Sequence, residues 1–314
     1  MNRWMARVGC WAAMAVLMMP ARVATTCEVM GFSFNERVSA RELFADFRHR
    51  GAIHRDGWGV AFYPDKSAQV IKDGKPAMES DLAEFLTRYQ GLESEIFIGF
   101  VRTASRGCGE PAHQNSHPFL RELNGREYVL AHEGTVHDFR EKLALGHARP
   151  LGINDSEFLC CYLTGQIEQA GIHAWNQKMF GWFDKLLHET SALGSVTCAF
   201  SDGEYLFVYL DRRDVKDIYS VQRRAPYGKV FFANMKQEVD LGRIYPKSAK
   251  GFVFATRPLT TENWTPLAAG SLTVFKKGEI IYTTPPTLRA SHEDGTRPQL
   301  VHLQTRVVQA EPHK

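Results

Sequence analysis

Thr25-Thr26-Cys27-Glu28-Val29-Met30-Gly31-Phe32 is the stretch on which the fold of this chain depends. From Cys27 onward, apolar residues alternate with polar ones, which predicts a β-strand. If the chain is cut directly before Cys27, this residue carries both a thiol and a free α-amino group. A free amine beside its own nucleophile can act as a general base without a histidine partner. The stretch therefore predicts an N-terminal-nucleophile hydrolase.

Residues 1–26 form a separate segment in front of that strand. Arg3 and Arg7 precede the uncharged run Val8–Met19, and Pro20 and small residues follow. This order is typical of a secretory signal, and the run is too short to span a bilayer. After processing, the protein would have no stable membrane span and would be secreted or periplasmic. The alternative is a misassigned start and a cytoplasmic protein.

The cleavage site in this leader is imperfect. A cut before Cys27 places Ala24 and Thr26 at the −3 and −1 positions, and threonine is a poor −1 residue. A cut after Ala24 would leave two threonines in front of Cys27, and a second trimming step would then be needed. The sequence alone leaves both routes open.

Composition excludes several function classes. The 314 residues carry a formal charge of +3, and the leader supplies all of it, which leaves 35 basic and 35 acidic residues. A balanced surface does not favour nucleic acid or a membrane surface as partner. Five cysteines remain after the leader, an odd number that includes an adjacent pair, so no disulfide framework is predicted. No cysteine or histidine cluster has metal-ligand spacing, and we expect no metal and no cofactor.

The hydrophobic pattern predicts strands, then two long helices, then more strands, with the helices packed outside the sheets. The early predicted elements are a helix over Ser39–Arg50 with Ser39 as N-cap, a hairpin of Trp58–Tyr63 and Ala68–Lys72, a helix over Leu82–Tyr89, and strands Ile96–Val101 and Tyr128–His132. The later ones are helices Asp155–Gln169 and Trp175–His188, and strands Val196–Phe200, Tyr205–Leu210, Ile218–Val221, Val230–Ala233, Phe252–Thr256, Leu272–Phe275 and Ile280–Tyr282. Residues 285–314 are polar and rich in proline, which predicts a poorly ordered tail.

Short motifs at the predicted strand ends and loops carry a family resemblance. They are Cys27-Glu28-Val29-Met30-Gly31, Arg50-Gly51, His54-Arg55-Asp56-Gly57-Trp58-Gly59, Arg102-Thr103-Ala104-Ser105-Arg106-Gly107, Asn115-Ser116-His117-Pro118-Phe119, Ala131-His132-Glu133-Gly134 and Asn154-Asp155-Ser156-Glu157. In this order they resemble the class II glutamine amidotransferases, in the stand-alone branch without a fused synthase. The resemblance implies a four-layer αββα Ntn-hydrolase sandwich, an α+β fold with two antiparallel sheets flanked by helices, over residues 27–284.

The resemblance also implies roles for individual residues. Cys27 would attack the side-chain amide of glutamine, and the Gly134 N–H would help to hold the oxyanion. Arg102 would receive the α-carboxylate of glutamine, for which its planar guanidinium is suited. Asp155 would pair with the α-ammonium group, although an aspartate there also suits a helix N-cap.

Two further residues are assigned only by position in the family. Arg50 matches the loop that borders the nucleophile, and His117 matches a position near the pocket. A loop histidine that is satisfied by the surrounding protein is an equally good interpretation of His117. For Cys27 itself the alternative is a small buried strand residue, the commonest fate of a free cysteine.

Glu133 departs from the family pattern, which has asparagine at this position. A carboxylate only accepts hydrogen bonds, and its charge would repel a developing oxyanion. Glu133 could be protonated and donate, or rotate away and leave the oxyanion to Gly134 and water. The enzyme could also be impaired or altered in its substrate.

The sequence thus predicts an amide hydrolase that converts glutamine to glutamate and ammonia, with a separate ammonia-accepting synthase as its partner. One alternative is a stand-alone hydrolase of γ-glutamyl amides of a small metabolite. The other is a catalytically weakened domain that binds an amino acid or a partner protein, which Glu133 favours.

Overall fold

The computed structural model describes residues 27–104, 109–213 and 217–285. The predictions for the leader and for the tail beyond residue 285, and residues 105–107 of the motif that begins at Arg102, lie outside the described residues. The strands are β1 Glu28–Ser39, β2 Trp58–Phe62, β3 Gln69–Asp73, β4 Glu93–Val101, β5 Phe119–Leu123, β6 Arg126–Val136, β7 Gly194–Ser201, β8 Leu206–Leu210, β9 Tyr219–Arg224, β10 Lys229–Phe232, β11 Gln237–Asp240, β12 Lys250–Ala255, β13 Thr265–Pro266, β14 Ser271–Lys276 and β15 Glu279–Thr283. The α-helices are α1 Arg41–Phe47, α2 Asp81–Leu86, α3 Phe139–Lys142, α4 Asp155–Gln169 and α5 Gln177–Ser191.

Two antiparallel sheets contain most of these strands. The first sheet has the order β13-β9-β12-β1-β4-β2-β3, and the second has the order β15-β14-β8-β7-β6-β5. Strands β10 and β11 form a separate hairpin. The predicted strand β1 therefore lies at the centre of the first sheet, between β12 and β4.

Three apolar clusters separate the layers. Val29 and Phe100 of the first sheet pack with Ala131 and Val208 of the second in a core between the sheets. Phe32, Trp58 and their neighbours pack with α1 and α2 on the outer face of the first sheet. Leu130, Phe200 and their neighbours pack with α4 and α5 on the outer face of the second sheet. The predicted α+β sandwich, with helices outside two antiparallel sheets, is confirmed.

The alternation of side chains along β1 and β6 explains this layering. Successive residues of a strand point to opposite faces of the sheet. On β1, Val29 points into the inter-sheet core, whereas Met30 and Phe32 point toward the helices of their own side. Both faces of each central strand are therefore covered, which is why consecutive apolar residues occur in Val29–Phe32 of β1 and Tyr128–Ala131 of β6.

The bounds of α4 match the prediction, but the N-caps of α1 and α4 differ from it. Strand β1 continues through Ser39, so the first helix begins only at Arg41 and its N-cap is Ala40. The Ser39 hydroxyl still donates to the Glu42 carboxylate at 3.1 Å. Asn154, rather than Asp155, caps α4, and its side-chain oxygen accepts from the Glu157 N–H at 2.8 Å. The alternative role of Asp155 as N-cap is therefore wrong.

Strand β6 is longer than predicted. The pattern placed its end at His132, but pairing with β7 continues through Glu133–Thr197 and Gly134–Val196 to Val136. Gly134 has φ of +144°, and a Cβ there would lie 2.1 Å from the Ser195 carbonyl oxygen. Only glycine fits this close backbone approach. In a sequence, glycine usually indicates the end of a strand. The strand was therefore predicted too short.

Strands β5, β11 and β13 were not predicted, because they are short and contain no more than two consecutive apolar residues. Strand β5 lies at the edge of the second sheet, where polar side chains face solvent. Within residues 27–104, 109–213 and 217–285, no helix is long and apolar enough to cross a membrane.

Candidate active site

One edge of the sandwich gathers the residues that the sequence singled out. Glu28 at the start of β1 pairs with Val101 at the end of β4, and Val101 also pairs with Trp58 at the start of β2. At the opposite end of β2, the Tyr63 hydroxyl lies 3.1 Å from the carbonyl oxygen of Glu127, at the start of β6. Strands β2 and β6 therefore run in opposite directions in the sandwich. The end of β6 consequently lies over the start of β1.

Cys27 and Glu133 face the same interior. Val129 and Ala131 of β6 belong to the inter-sheet core, so the period of two directs Glu133 to that side as well. Cys27 packs, half-buried, against the same core. Glu133 is only 2% exposed. The candidate nucleophile and the unexpected carboxylate thus line one space.

The Cys27 sulfur lies against the backbone of Thr103, just after β4. The Thr103 N–H donates to Sγ at 3.2 Å, and Sγ lies 3.3 Å from the Thr103 carbonyl oxygen. A thiol donates its proton to such a carbonyl, whereas a thiolate accepts from the N–H. The same peptide segment therefore has a partner for each protonation state of the sulfur.

Arg102 is buried and fixed by carbonyl oxygens. Its two terminal nitrogens donate to the carbonyls of Asp56 and Gly109, each at 3.2 Å. The backbone of Arg102 also pairs with this turn, because its N–H donates to the Gly57 carbonyl at 2.8 Å. The Asp56 carboxylate accepts from the Ala104 N–H at 2.7 Å. These bonds fix the guanidinium, a group that suits a carboxylate ligand, beside the segment that contacts Cys27.

Gly57 allows the turn that holds Arg102. Its φ is +122°, and a Cβ there would lie 2.4 Å from the Ser116 hydroxyl. The Ser116 hydroxyl donates either to the Asp73 carbonyl at 3.0 Å or to the Ala112 carbonyl at 2.9 Å. The glycine therefore serves both the left-handed backbone and the close approach of the loop that leads to β5.

Asp155 joins the start of α4 to the end of β6. One carboxylate oxygen accepts from the Val136 N–H at 2.7 Å, and the residue is 4% exposed. His132 makes a second link, because its Nδ1 lies 2.9 Å from the Ser156 hydroxyl and its Nε2 donates to the Ser195 carbonyl at 3.0 Å. The segment that contains Glu133 and Gly134 is therefore anchored on both sides.

His117 is buried between two aromatic rings. Its ring centroid lies 4.0 Å from that of Phe100 and 4.7 Å from that of Phe119. Neither ring nitrogen has a hydrogen-bond partner among the described residues. Burial first, and then the positive charges of neighbouring groups such as Arg102, hold the pKa of His117 well below its usual range. The alternative interpretation, a histidine satisfied by the protein, does not fit this environment.

Arg50 contacts the side chain of Glu28, the residue that follows the candidate nucleophile. Its guanidinium contacts the Glu28 carboxylate and donates to the carbonyls of Arg257 and Pro258 at 2.9 and 3.1 Å. Arg257 also contacts Glu28, which is 1% exposed. Burial would raise the pKa of Glu28, but the hydrogen bond from His54 and the charges of both arginines lower it to about 2.

Sequence reasoning gave no role to Glu28, His54 or Thr103, although all three lie in the motifs. The available signal was a charged residue directly after Cys27 in an otherwise apolar strand. A buried charge requires partners, and this one has them. Within the described residues, no group of three or more histidine, cysteine, aspartate or glutamate side chains could hold a metal ion.

Comparison with known proteins adds the family context. The family model for glutamine amidotransferases class-II matches residues 26–298. An uncharacterized protein of Methanocaldococcus jannaschii is 39% identical over 257 residues, which cover 82% of this chain and 71% of that protein. YafJ of Escherichia coli K12, which carries a provisional name as a glutamine amidotransferase, is 31% identical over 81% of this chain and 99% of its own length.

Solved structures show the same fold. The crystal structure of a predicted glutamine amidotransferase from Pseudomonas aeruginosa superposes with a TM-score of 0.60 at 27% identity, over 82% of this chain and 100% of that one. The glutamine phosphoribosylpyrophosphate amidotransferase of B. subtilis superposes with a TM-score of 0.54 at 13% identity, over 82% of this chain and 48% of that one. The second likeness extends the match in fold to an Ntn-type amidotransferase.

Proposed function

The chain belongs to the class II glutamine amidotransferases, and we propose that it hydrolyses the side-chain amide of glutamine to glutamate and ammonia. The observation that carries this proposal is the Thr103 N–H on the Cys27 sulfur, at the edge of the sandwich where β1 begins and β4 and β6 end. We assign the activity to residues 27–284. The proposal requires that residues 1–26 are removed so that the α-amino group of Cys27 is free.

The reaction follows from the two groups of Cys27. The α-amine takes the thiol proton, and Sγ attacks the amide carbon to give a tetrahedral oxyanion, which the Gly134 N–H helps to hold. The protonated amine then gives its proton to the leaving nitrogen, the C–N bond breaks, and ammonia leaves a thioester on Cys27. Water attacks the thioester in the second half of the reaction and releases glutamate and the free thiol.

Arg102 and Asp155 supply opposite charges for the head group of the substrate. The guanidinium of Arg102 would bind the α-carboxylate, and the carboxylate of Asp155 would bind the α-ammonium group. Both side chains are buried and are held by backbone groups, so their positions exist before a ligand arrives. Such preorganisation lowers the entropic cost of binding. His117, whose ring nitrogens have no described partner, would border this pocket.

Glu133 supports a second candidate function. Its carboxylate lies on the inter-sheet face beside Cys27, where the family has an amide that donates to the oxyanion. The loss of one such donor costs about 10²–10³ in rate. A γ-glutamyl amide with a better leaving group would tolerate that loss more readily than glutamine. A weakened domain that binds an amino acid or a partner is the other consequence.

The test is an assay of protein that begins with Cys27. We expect release of glutamate and ammonia from glutamine, with asparagine inert because its carboxamide is one methylene too short. A faster reaction with a γ-glutamyl anilide, whose arylamine leaves more readily than ammonia, than with glutamine would favour the second candidate. Inactivity with both substrates, together with tight binding of glutamate, would support the binding domain instead. An ammonia-accepting synthase would be sought as a separate chain.

A further inference from the structure

A chain of hydrogen bonds leads from the interior to the Cys27 sulfur. The Glu28 carboxylate lies 3.0 Å from Nε2 of His54, and Nδ1 of His54 lies 2.8 Å from the Thr103 hydroxyl. The Thr103 N–H in turn contacts Sγ of Cys27 at 3.2 Å. We call Glu28, His54 and Thr103 the Glu28 relay.

The direction of each bond in the relay follows from the chemistry of Glu28. A carboxylate only accepts, so Nε2 of His54 must carry the proton. In the neutral imidazole, Nδ1 is then the acceptor, and the Thr103 hydroxyl must donate to it. One fixed charge thus determines the tautomer of His54 and the orientation of the Thr103 side chain.

The neighbouring arginines and the hydrogen bond from His54 keep Glu28 ionised in spite of its burial. The carboxylate is 1% exposed and is surrounded by the guanidinium groups of Arg50 and Arg257. These contacts and the bond from His54 lower its pKa to about 2, although burial alone would raise it. The charge is therefore present at every pH at which the enzyme would work.

We propose that the Glu28 relay positions the Thr103 peptide so that its N–H stabilises the Cys27 thiolate. The inference rests on the proposed nucleophilic role of Cys27. A hydrogen bond to the thiolate lowers the pKa of the Cys27 thiol. The Thr103 N–H can make this bond only if the Thr103 peptide is held in place. The members of the relay are positioning residues, because none of them touches the substrate.

Thr103 offers a matched pair of substitutions. Thr103→Val removes the hydroxyl but keeps the shape, whereas Thr103→Ser keeps the hydroxyl, and both keep the backbone N–H. The charged groups that face the relay are Arg50 and Arg257 at Glu28, and Asp56 beside Ala104. Neither substitution changes them.

The experiment measures iodoacetamide alkylation of the Cys27 peptide by mass spectrometry across pH, and kcat and KM for glutamine. We expect Thr103→Val to raise the thiol pKa by about one unit, which lowers the alkylation rate and kcat about tenfold near neutral pH. KM should change less than twofold. Thr103→Ser should restore both rates to within about twofold.

Circular dichroism would show whether Thr103→Val folds. If it does not fold, a second variant tests the relay. His54→Leu removes the acceptor for the Thr103 hydroxyl, and we expect the same slowing of alkylation. Equal alkylation of the parent and of either folded variant would overturn the relay. An equal loss in Thr103→Val and Thr103→Ser would also overturn it, since the hydroxyl would then not matter.

The two proposals can fail separately. If no variant hydrolyses glutamine but Thr103→Val still slows alkylation, the relay stands and the proposed reaction is wrong. If glutamine is hydrolysed and the thiol titrates identically in parent and Thr103→Val, the reaction stands and the relay is wrong.

Discussion

The two sheets bring different chemistry to the shared edge. At the start of β1, the charged groups are neutralised within the chain, since Glu28 lies between Arg50 and Arg257 and also meets His54. At the second sheet, His117 is buried with both ring nitrogens lacking a described partner. Buried polar groups are normally satisfied. The Glu28 carboxylate is therefore satisfied within the chain and supports the sulfur, whereas a ligand would complete the buried polar groups around His117.

This difference separates the roles of the two sides. The groups around Glu28 are paired with one another, so they orient the nucleophile rather than contact the substrate. Groups that are buried and unpaired pay a desolvation cost, which a bound ligand can recover. Substitutions around Glu28 should therefore change reactivity and stability, whereas substitutions of the groups assigned to the ligand, Arg102 and Glu133, should change substrate binding and turnover.

The largest effect is expected for the sulfur itself. Cys27→Ala should lower glutamine hydrolysis at least about 10³-fold, because no other group can form the thioester. Cys160→Ala is the matched control, since Cys160 is a buried thiol of α4 that packs in the outer cluster of the second sheet and not in the inter-sheet core. The measurement is glutamate release. Residual activity above a tenth of the parent value would disprove the nucleophilic role.

Substitution of Arg102 comes next. We expect Arg102→Lys to lower kcat/KM for glutamine about 10²-fold, mainly through KM, because lysine cannot present the bidentate fork to a carboxylate. Glutaminamide, which lacks the α-carboxylate, should be hydrolysed equally by parent and variant. A loss of the same size with both substrates would show that Arg102 only maintains its loop.

Glu133 tests the second sheet. We expect Glu133→Asn to raise kcat for glutamine about tenfold to 10²-fold, because an amide donor replaces a carboxylate at the oxyanion. Glu133→Gln is the control, because it removes the charge but carries its amide on a side chain one methylene longer than that of asparagine. A silent parent with a large gain would favour the weakened binding domain, and a lower rate in Glu133→Asn would contradict the assigned position.

The smallest effect concerns the stability of the first sheet. The pKa of Glu28 falls from an ordinary 4.5 to about 2, so its stabilisation is complete above the ordinary value and is lost as pH falls toward 2. This corresponds to about 3 kcal/mol in the free energy of unfolding. Glu28→Gln should be less stable at pH 7 and should lose less of its stability in acid. Parallel urea curves at pH 7 and pH 3 measure the difference, and identical acid sensitivity would refute it.

The sequence predicted the architecture because the architecture depends on local patterns. The alternation after Cys27 predicted a strand, the apolar run Ile96–Val101 predicted a strand covered on both faces, and the family motifs supplied the layer order. The strand register and the exact strand ends were harder to predict from the sequence. The extension of β6 through Gly134 depends on the close approach of Ser195, a residue about sixty positions away.

The candidate site was predicted only in part for the same reason. Motif order identified Cys27, Arg102 and Asp155, which the structure brings to one edge. It could not show that Arg50 points to Glu28, or that His54 and Thr103 connect that carboxylate to the sulfur. These contacts join β1, the loop before β2 and the segment after β4, so they exist only when the sheet has formed.

The most direct test of the central claim joins processing to chemistry. The protein from its native source would be treated with an electrophilic glutamine analogue, such as a chloroketone, and its N-terminal peptide analysed by mass spectrometry. We predict a peptide that begins at Cys27, with a free α-amino group and the analogue on its sulfur. An active protein whose labelled peptide still carries Thr26 in front of Cys27 would contradict the account.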